Sequence, residues 1–253
     1  MTQTGQSRIV TAALLVIGDE ILSGRTKDKN IGHIAEYLTN IGIDLREVRV
    51  VPDVEDAIVA AVNALRARHT YLFTTGGIGP THDDITADCV AKAFGVPIDY
   101  DPRAVALLKE RFAQTGADMN EARMRMTRIP QGAALVLNKV SAAPGFWLGN
   151  VIVMAGVPSI MQAMLDDVAP KLSTGAKMLS ETVRGDVREG DIGTELGVIA
   201  KQYPEVMIGS YPFMDDRGPN TNIVLRTRDA DRLGAAKAAV EAMLAKVRPT
   251  IVR

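Results

Sequence analysis

The stretch "TTGGIGPTHDDIT", residues 74–86, sets three glycines, a threonine and two adjacent aspartates directly behind the apolar run "YLF". An apolar run that ends in a glycine turn reads as the carboxyl end of a buried strand. Gly76, Gly77 and Gly79 let the backbone turn sharply and expose amides. Thr81 reads as the N-cap of a helix over "THDDITADCVAKAFG", closed at Gly95, so the amides of its first turn form a natural anion site. One aspartate suffices for the cap and the helix dipole. A second carboxylate beside an anion is repulsive unless a cation lies between them.

Working outward, the chain alternates strand and helix. "IVTAALLVIG" (9–18) is continuously apolar. "NIGHIAEYLTNIG" (30–42) carries Ile31, Ile34, Ala35, Leu38 and Ile41 on one helical face. "DLREVRVVP" reads as a strand, and "DVEDAIVAAVNALRARH" as a helix with Asp53 at its N-cap. Helical "DPRAVALLKERFAQTG" and "NEARMRMTRI" follow, then strands "AALVLN" and "GNVIVMAG", then the helix "PSIMQAMLDDVAPKL". Near-continuous apolar strands separated by helices predict an α/β fold: three layers around a mostly parallel sheet, over residues 8–170. "STGAKMLS" reads as a linker. Beyond it, strands "SETVRGDV", "EVMIGSYPFM" and "TNIVLRTR" and two helices predict a small α+β subdomain at residues 178–253. "GSYPFMDDRGPNTN" could equally be a long hairpin connection. Residues 1–7 read as a loose tail.

In an open parallel sheet, ligands bind beyond the carboxyl ends of the strands, where the winding reverses. With a flavodoxin-like strand order, "GDEILSG" (18–24) after the first strand would face "TGGIGPTHDD" (75–84) after the third. Asp19 and Glu20 would then approach Asp83 and Asp84. Several carboxylates near a phosphate are how Mg²⁺ or Mn²⁺ is usually recruited. Taken singly, each acid is more often a solvated charge, and Thr81 with Asp84 an ordinary cap. Other phosphate loops fail on spacing. A P-loop needs a lysine and a hydroxyl after its last glycine, and a dinucleotide fingerprint needs GxGxxG after the first strand. His82 has no second histidine near it, and Cys89 reads as a small core residue.

The 253 residues, 47% hydrophobic, suffice for a sizeable core. A net charge of −1 gives no global case for nucleic acid or an anionic membrane as partner. The single cysteine precludes an internal disulfide and fits a reducing, cytoplasmic setting. The N-terminal apolar run, only about nine residues, is too short to span a bilayer and lacks a signal-peptide pattern. Apolar helices such as 235–247 leave room for a homo-oligomer.

"GDEILSGRTKDKN" followed by "TTGGIGPTHDDIT" resembles the molybdopterin-binding domain family, in the form of the N-terminal region of competence/damage-inducible protein A (CinA). "NKVSAAPGFWLGNVIVMAGVPSIM" is similar to that family's later block. "IGSYPF" with "NTNIVLR" resembles the small C-terminal subdomain of CinA-type proteins and the hydrolase half of eukaryotic FAD synthases. The resemblance implies a three-layer α/β fold. Asp84 matches the family's signature acid; with Asp83 it is expected as a catalytic acid, and with Asp19 as a holder of a divalent metal. The resemblance also implies Ser23, Gly24, Asn30, Gly76, Gly77, Gly79, Thr81, Pro144 and Gly145 around a molybdopterin or nucleotide phosphate. Two activities stay open: hydrolysis of a pyrophosphate such as ADP-ribose or FAD, or binding without turnover. Ile78, Ser141 and Ala155 depart from the family pattern. CinA proteins continue into an amidohydrolase domain, so deamidase activity is not expected of these residues.

Overall fold

The computed structural model describes residues 9–116 and 118–248, and the tail expected at residues 1–7 lies outside the described residues. The elements run β1 (Val10–Ile17), α1 (Asp19–Leu22), α2 (Asn30–Asn40), β2 (Ile43–Val51), α3 (Glu55–Arg66), β3 (Tyr71–Thr75), α4 (Thr86–Phe94), β4 (Ile98–Tyr100), α5 (Pro102–Thr115) and α6 (Glu121–Arg125). Then come β5 (Arg128–Pro130), β6 (Ala134–Val136), β7 (Gly145–Leu148), β8 (Val151–Met154), α7 (Pro158–Val168), β9 (Leu179–Arg184), α8 (Gly193–Gln202), β10 (Met207–Asp215), β11 (Gly218–Thr227) and α9 (Ala230–Val247). Two compact units meet in sequence at Gly175 and Ala176.

The first unit is built on a six-stranded sheet of order β2-β1-β3-β8-β7-β6. The first four strands are parallel. Along β1 the side chains alternate between two cores. Ala13, Leu15 and Ile17 pack with Ile58, Val62 and Leu65 of α3 and with Cys89 and Val90 of α4. Leu14 and Val16 pack with Ile34 and Leu38 of α2 and with Met161, Leu165 and Val168 of α7. Helices on both faces explain why β1 and β3 are apolar throughout rather than alternating. The chain goes from β1 out to β2 and returns to β3 on the far side of β1, so the winding reverses between β1 and β3.

The sheet is not parallel to its end. β7 runs antiparallel to β8, with Leu148 opposite Val151 across the two-residue turn Gly149–Asn150. Gly149 has φ 58°, as tight hairpin turns require. The strand expected over "GNVIVMAG" is β8 preceded by this turn, and "GFWL" forms a further strand, in keeping with a Gly-Asn pair between two apolar runs as a hairpin signal.

Two expected helix starts move. α4 begins at Thr86, not Thr81. The Thr86 amide donates to the Gly77 carbonyl at 3.0 Å, and its hydroxyl donates to the Gly76 carbonyl. Thr81 to Asp84 instead closes on itself as a turn: the Asp84 carboxylate accepts the Thr81 amide at 2.8 Å and its hydroxyl. α3 begins at Glu55 behind Val54, so Asp53 does not cap it.

The second unit is a three-stranded antiparallel sheet, β10-β11-β9, with α8 and α9 packed on it. Ile223 and Leu225 of β11 meet Leu196, Ile199, Leu233, Ala236, Val240 and Leu244. "GSYPFMDDRGPNTN" is mostly strand, folded back tightly between Asp215 and Gly218. Among the described residues no helix is long and apolar enough to cross a membrane.

Candidate functional site

A cleft of about 700 Å³ opens beyond the carboxyl ends of β1, β3 and β8. The β3–α4 loop contributes Gly76, Gly77, Ile78, Gly79, Asp83 and Asp84. The β1 loop contributes Gly18, Glu20 and Thr26, and the β2–α3 loop contributes Asp53. Ala155, Gly156 and Pro158 enter from the β8–α7 loop. Leu108, Phe112, Met126, Ile160 and Met164 make much of the wall apolar.

Why glycine stands at the end of β3 follows from two close approaches. Gly76 has φ 102°, and a Cβ there would sit 2.1 Å from the Ile17 carbonyl oxygen, where β1 and β3 run side by side. Gly77 has φ 66°, and its Cβ would fall 2.2 Å from Thr86 Oγ1. Neither backbone conformation suits a side chain. The Gly76 amide is taken by the Met154 carbonyl of β8 at 3.2 Å. Among the described residues, the amides of Gly77, Ile78 and Gly79 find no acceptor in the backbone network.

Acids dominate the electrostatics. Glu20, Asp53, Asp83 and Asp84 all line the cleft, and Arg123 is the one cation among the described residues lining it. Its guanidinium lies 4.8 Å above the Phe112 ring. The Asp53 carboxylate accepts the Asp19 amide at 3.0 Å, which ties the start of α1 to the β2–α3 loop. Burial raises the Asp53 carboxyl above its ordinary range, and the charges of Asp19, Glu20 and Asp83 raise it further against that hydrogen bond. The Thr81 hydroxyl donates to the Asp84 carboxylate rather than to that of Asp83.

The residues singled out from sequence divide accordingly. Gly76, Gly77, Gly79, Asp83 and Asp84 come together in the cleft. Asn30 is 4% exposed and lies in an adjoining hollow. Pro144 lines a small recess that also holds Asp84. Asp19 is exposed and reaches the cleft only through its amide. Ser23 and Gly24 stand outside the lining; their amides close α1 by donating to Asp19 and Ile21. Thr81 is a loop residue behind Asp84, and Gly145 lies within β7. Sequence reasoning missed Asp53, Thr26 and Arg123. Asp53 was legible only as a helix cap, Thr26 lies in the "GDEILSGRTKDKN" block without having been singled out, and Arg123 sits in a stretch without a motif.

Residues 13–174 match the family model described as "Probable molybdopterin binding domain", and residues 177–249 match that described as "FAD synthase, middle domain". A protein of Pyrobaculum calidifontis is 35% identical over 212 residues, covering 80% of this chain and 80% of that one. A CinA-like protein of Desulfosudis oleivorans is 39% identical over 168 residues, covering 64% of this chain and 41% of that one. A "Probable FAD synthase" of Caenorhabditis briggsae is 27% identical over 259 residues, covering 92% of this chain and 49% of that one. The chain thus spans less than half of these last two relatives. The crystal structure of CinA from Thermoplasma acidophilum superposes with a TM-score of 0.60 at 34% identity, over 64% of this chain and 98% of that one. With its winding reversal, glycine loop and acid-lined cleft, the chain belongs to the molybdopterin-binding domain family in its CinA-like form, followed by a unit of the FAD synthase middle-domain kind.

Proposed function

We propose that the cleft binds a small molecule bearing a nucleotide- or pterin-linked phosphate and cleaves a pyrophosphate bond in it, of the kind found in ADP-ribose or FAD. The observation that carries this reading is the meeting of the glycine-loop amides with Glu20, Asp53 and Asp83 in one cleft. Amides without acceptors suit phosphate oxygens, while carboxylates beside them call for a cation. No group of three or more His, Cys, Asp or Glu among the described residues is arranged to hold an ion alone. The donors fit an ion of the Mg²⁺ or Mn²⁺ type, which keeps waters and takes further ligands from substrate phosphate. Asp84, through the oxygen that does not accept from Thr81, and one of Asp53 or Asp83 would hold it together with waters and substrate phosphate. Bound there, it supplies charge stabilisation at a phosphoryl oxygen and a more acidic water.

The protein's own part is positional. The Gly77–Gly79 amides hold one phosphate, and Asp84 fixes the turn that presents them by accepting from Thr81. Phe112, Ile160 and Met164 keep water from the ligand's apolar face. We expect Asp84→Asn to abolish release of AMP from ADP-ribose with Mg²⁺ or Mn²⁺ present. The melting temperature should hold, because an amide oxygen still accepts from Thr81. Full turnover by that variant would remove Asp84 from the reaction.

One observation favours capture without turnover: Asp84 is engaged within its own loop. Calorimetric titration with ADP-ribose and FAD, with and without metal, separates the readings. Tight binding with no product over hours supports capture, and metal-dependent AMP release supports hydrolysis.

A further inference from the structure

The six-stranded sheet ends on one side in β6, three residues long, and on the other in β2, nine residues long. Among the described residues β2 pairs with β1 alone. The outer edge of such a strand presents a row of amides and carbonyls that another chain can join. Along β2 the sequence runs Asp44-Leu45-Arg46-Glu47-Val48-Arg49. Reversed in order and inverted in charge, that pattern of acid, apolar and base is unchanged. Two copies laid antiparallel about a twofold axis between Arg46 and Glu47 therefore set Asp44 against Arg49, Leu45 against Val48 and Arg46 against Glu47 of the other copy.

Residues opposite one another across an antiparallel pair lie on the same face of the sheet. In a regular strand Asp44 and Arg49 would lie on opposite faces. β2 is not regular: Ala12 stands beside Leu45 and Ala13 beside Glu47, so Arg46 is an extra residue, a bulge. Beyond the bulge the faces are exchanged. Asp44, Glu47 and Arg49 lie beside Thr11, Ala13 and Leu15 on the α3 face, while Leu45 and Val48 lie beside Ala12 and Leu14 on the α2 face. Asp44 now shares a face with Arg49, and Leu45 with Val48. The bulge and the charge order thus fit the same register independently. Charges and bulges discourage indiscriminate strand pairing. Here they leave room for one partner, the same edge in one register. Arg46 and Val48 are exposed, and ion pairs of Arg46 with Asp44 and Arg49 with Glu47, each 2.7 Å, hold the charges along the strand. We propose that β2 is a homodimer interface, in which a second copy of this chain pairs antiparallel over residues 44–49 and joins the two sheets into one.

The test is analytical ultracentrifugation of the full chain at about 10–100 μM, the range in which a small polar interface associates. The parent should sediment as a dimer that added salt weakens. Arg46→Glu sets a carboxylate against Glu47 of the other copy and should weaken the dimer at least about tenfold. Glu47→Arg sets a guanidinium against Arg46 and should do the same. Mixed in equal amounts, the two variants should associate again, because each introduced charge then meets its opposite. Circular dichroism checks that both keep the fold. Should Glu47→Arg lose it, through the missing ties to Arg49 and Arg68, Arg46→Glu decides alone. A monomeric parent overturns the proposal. So does a dimer that Arg46→Glu leaves intact, or a mixture of the two folded variants that stays monomeric.

Discussion

Asp53 carries the plainest electrostatic signature of the cleft. Its carboxyl is raised by burial and by Asp19, Glu20 and Asp83. The folded state therefore holds this proton more tightly than the unfolded chain does. Stability attributable to Asp53 is present below its unfolded value and declines as pH rises through the raised folded one. Asp53→Asn, whose amide oxygen can still accept from Asp19, should be more stable than the parent at neutral pH. It should also lose this pH dependence just above the ordinary aspartate range. Denaturant titrations at several pH values check this. Cys89 is shifted in the same direction: burial first, then Glu55 and Asp88, push its thiol up to about 12. A thiol reagent at mildly alkaline pH should leave the folded protein unmodified and label the unfolded chain at once. Its core role was legible because a cysteine among helical apolar residues has an ordinary packing explanation. The role of Asp53 was not. An aspartate just ahead of a helix looks like a cap, and only the fold reveals that Asp19 is its partner.

At the scale of elements, the glycine loop depends on how closely β1 and β3 pack. Gly76→Ala brings a Cβ against the Ile17 carbonyl and forces an alanine to φ near 102°. Backbone cannot give way as a flexible side chain can. We expect a loss of about 3 kcal/mol or more in the stability of the first unit, read from its denaturation midpoint. A small loss would mean that β1 and β3 are further apart than described. The strand–helix alternation of this unit was readable, since strands covered on both faces are apolar at every position. The β4–β5 pair was not, and the β7–β8 hairpin was marked only by its Gly-Asn turn. Their strands are three or four residues long, too short for periodicity to speak. Thr81 misled for a related reason. A threonine three residues before an aspartate fits a helix cap and a self-closed turn equally well.

Across the whole molecule, each unit has a core of its own, and every residue of the cleft and its adjoining hollow belongs to the first. Leu225→Ala, in the core of the second unit, should cost that unit about 2–5 kcal/mol and leave affinity for AMP or pyrophosphate unchanged. Calorimetry paired with titration checks both halves of that statement. The change of pattern near residue 175 was visible because an antiparallel sheet with one covered face alternates polar and apolar residues, whereas the strands before it do not. The strand order that brings residue 18 to residue 76 had to be assumed from sequence, because pairing between distant strands leaves no local trace.

β8 has one further consequence. It lies beside β3, with Leu72 opposite Val151, and the loop behind it supplies the Gly156 carbonyl that orients Asn30. Translation delivers the glycine turn and its acids long before that strand exists. Until β8 and the loop behind it leave the ribosome, β3 has an open edge and the Asn30 side chain lacks the carbonyl it donates to. The floor of the cleft, where the loops behind β3 and β8 meet, is therefore completed only late in the synthesis of the first unit.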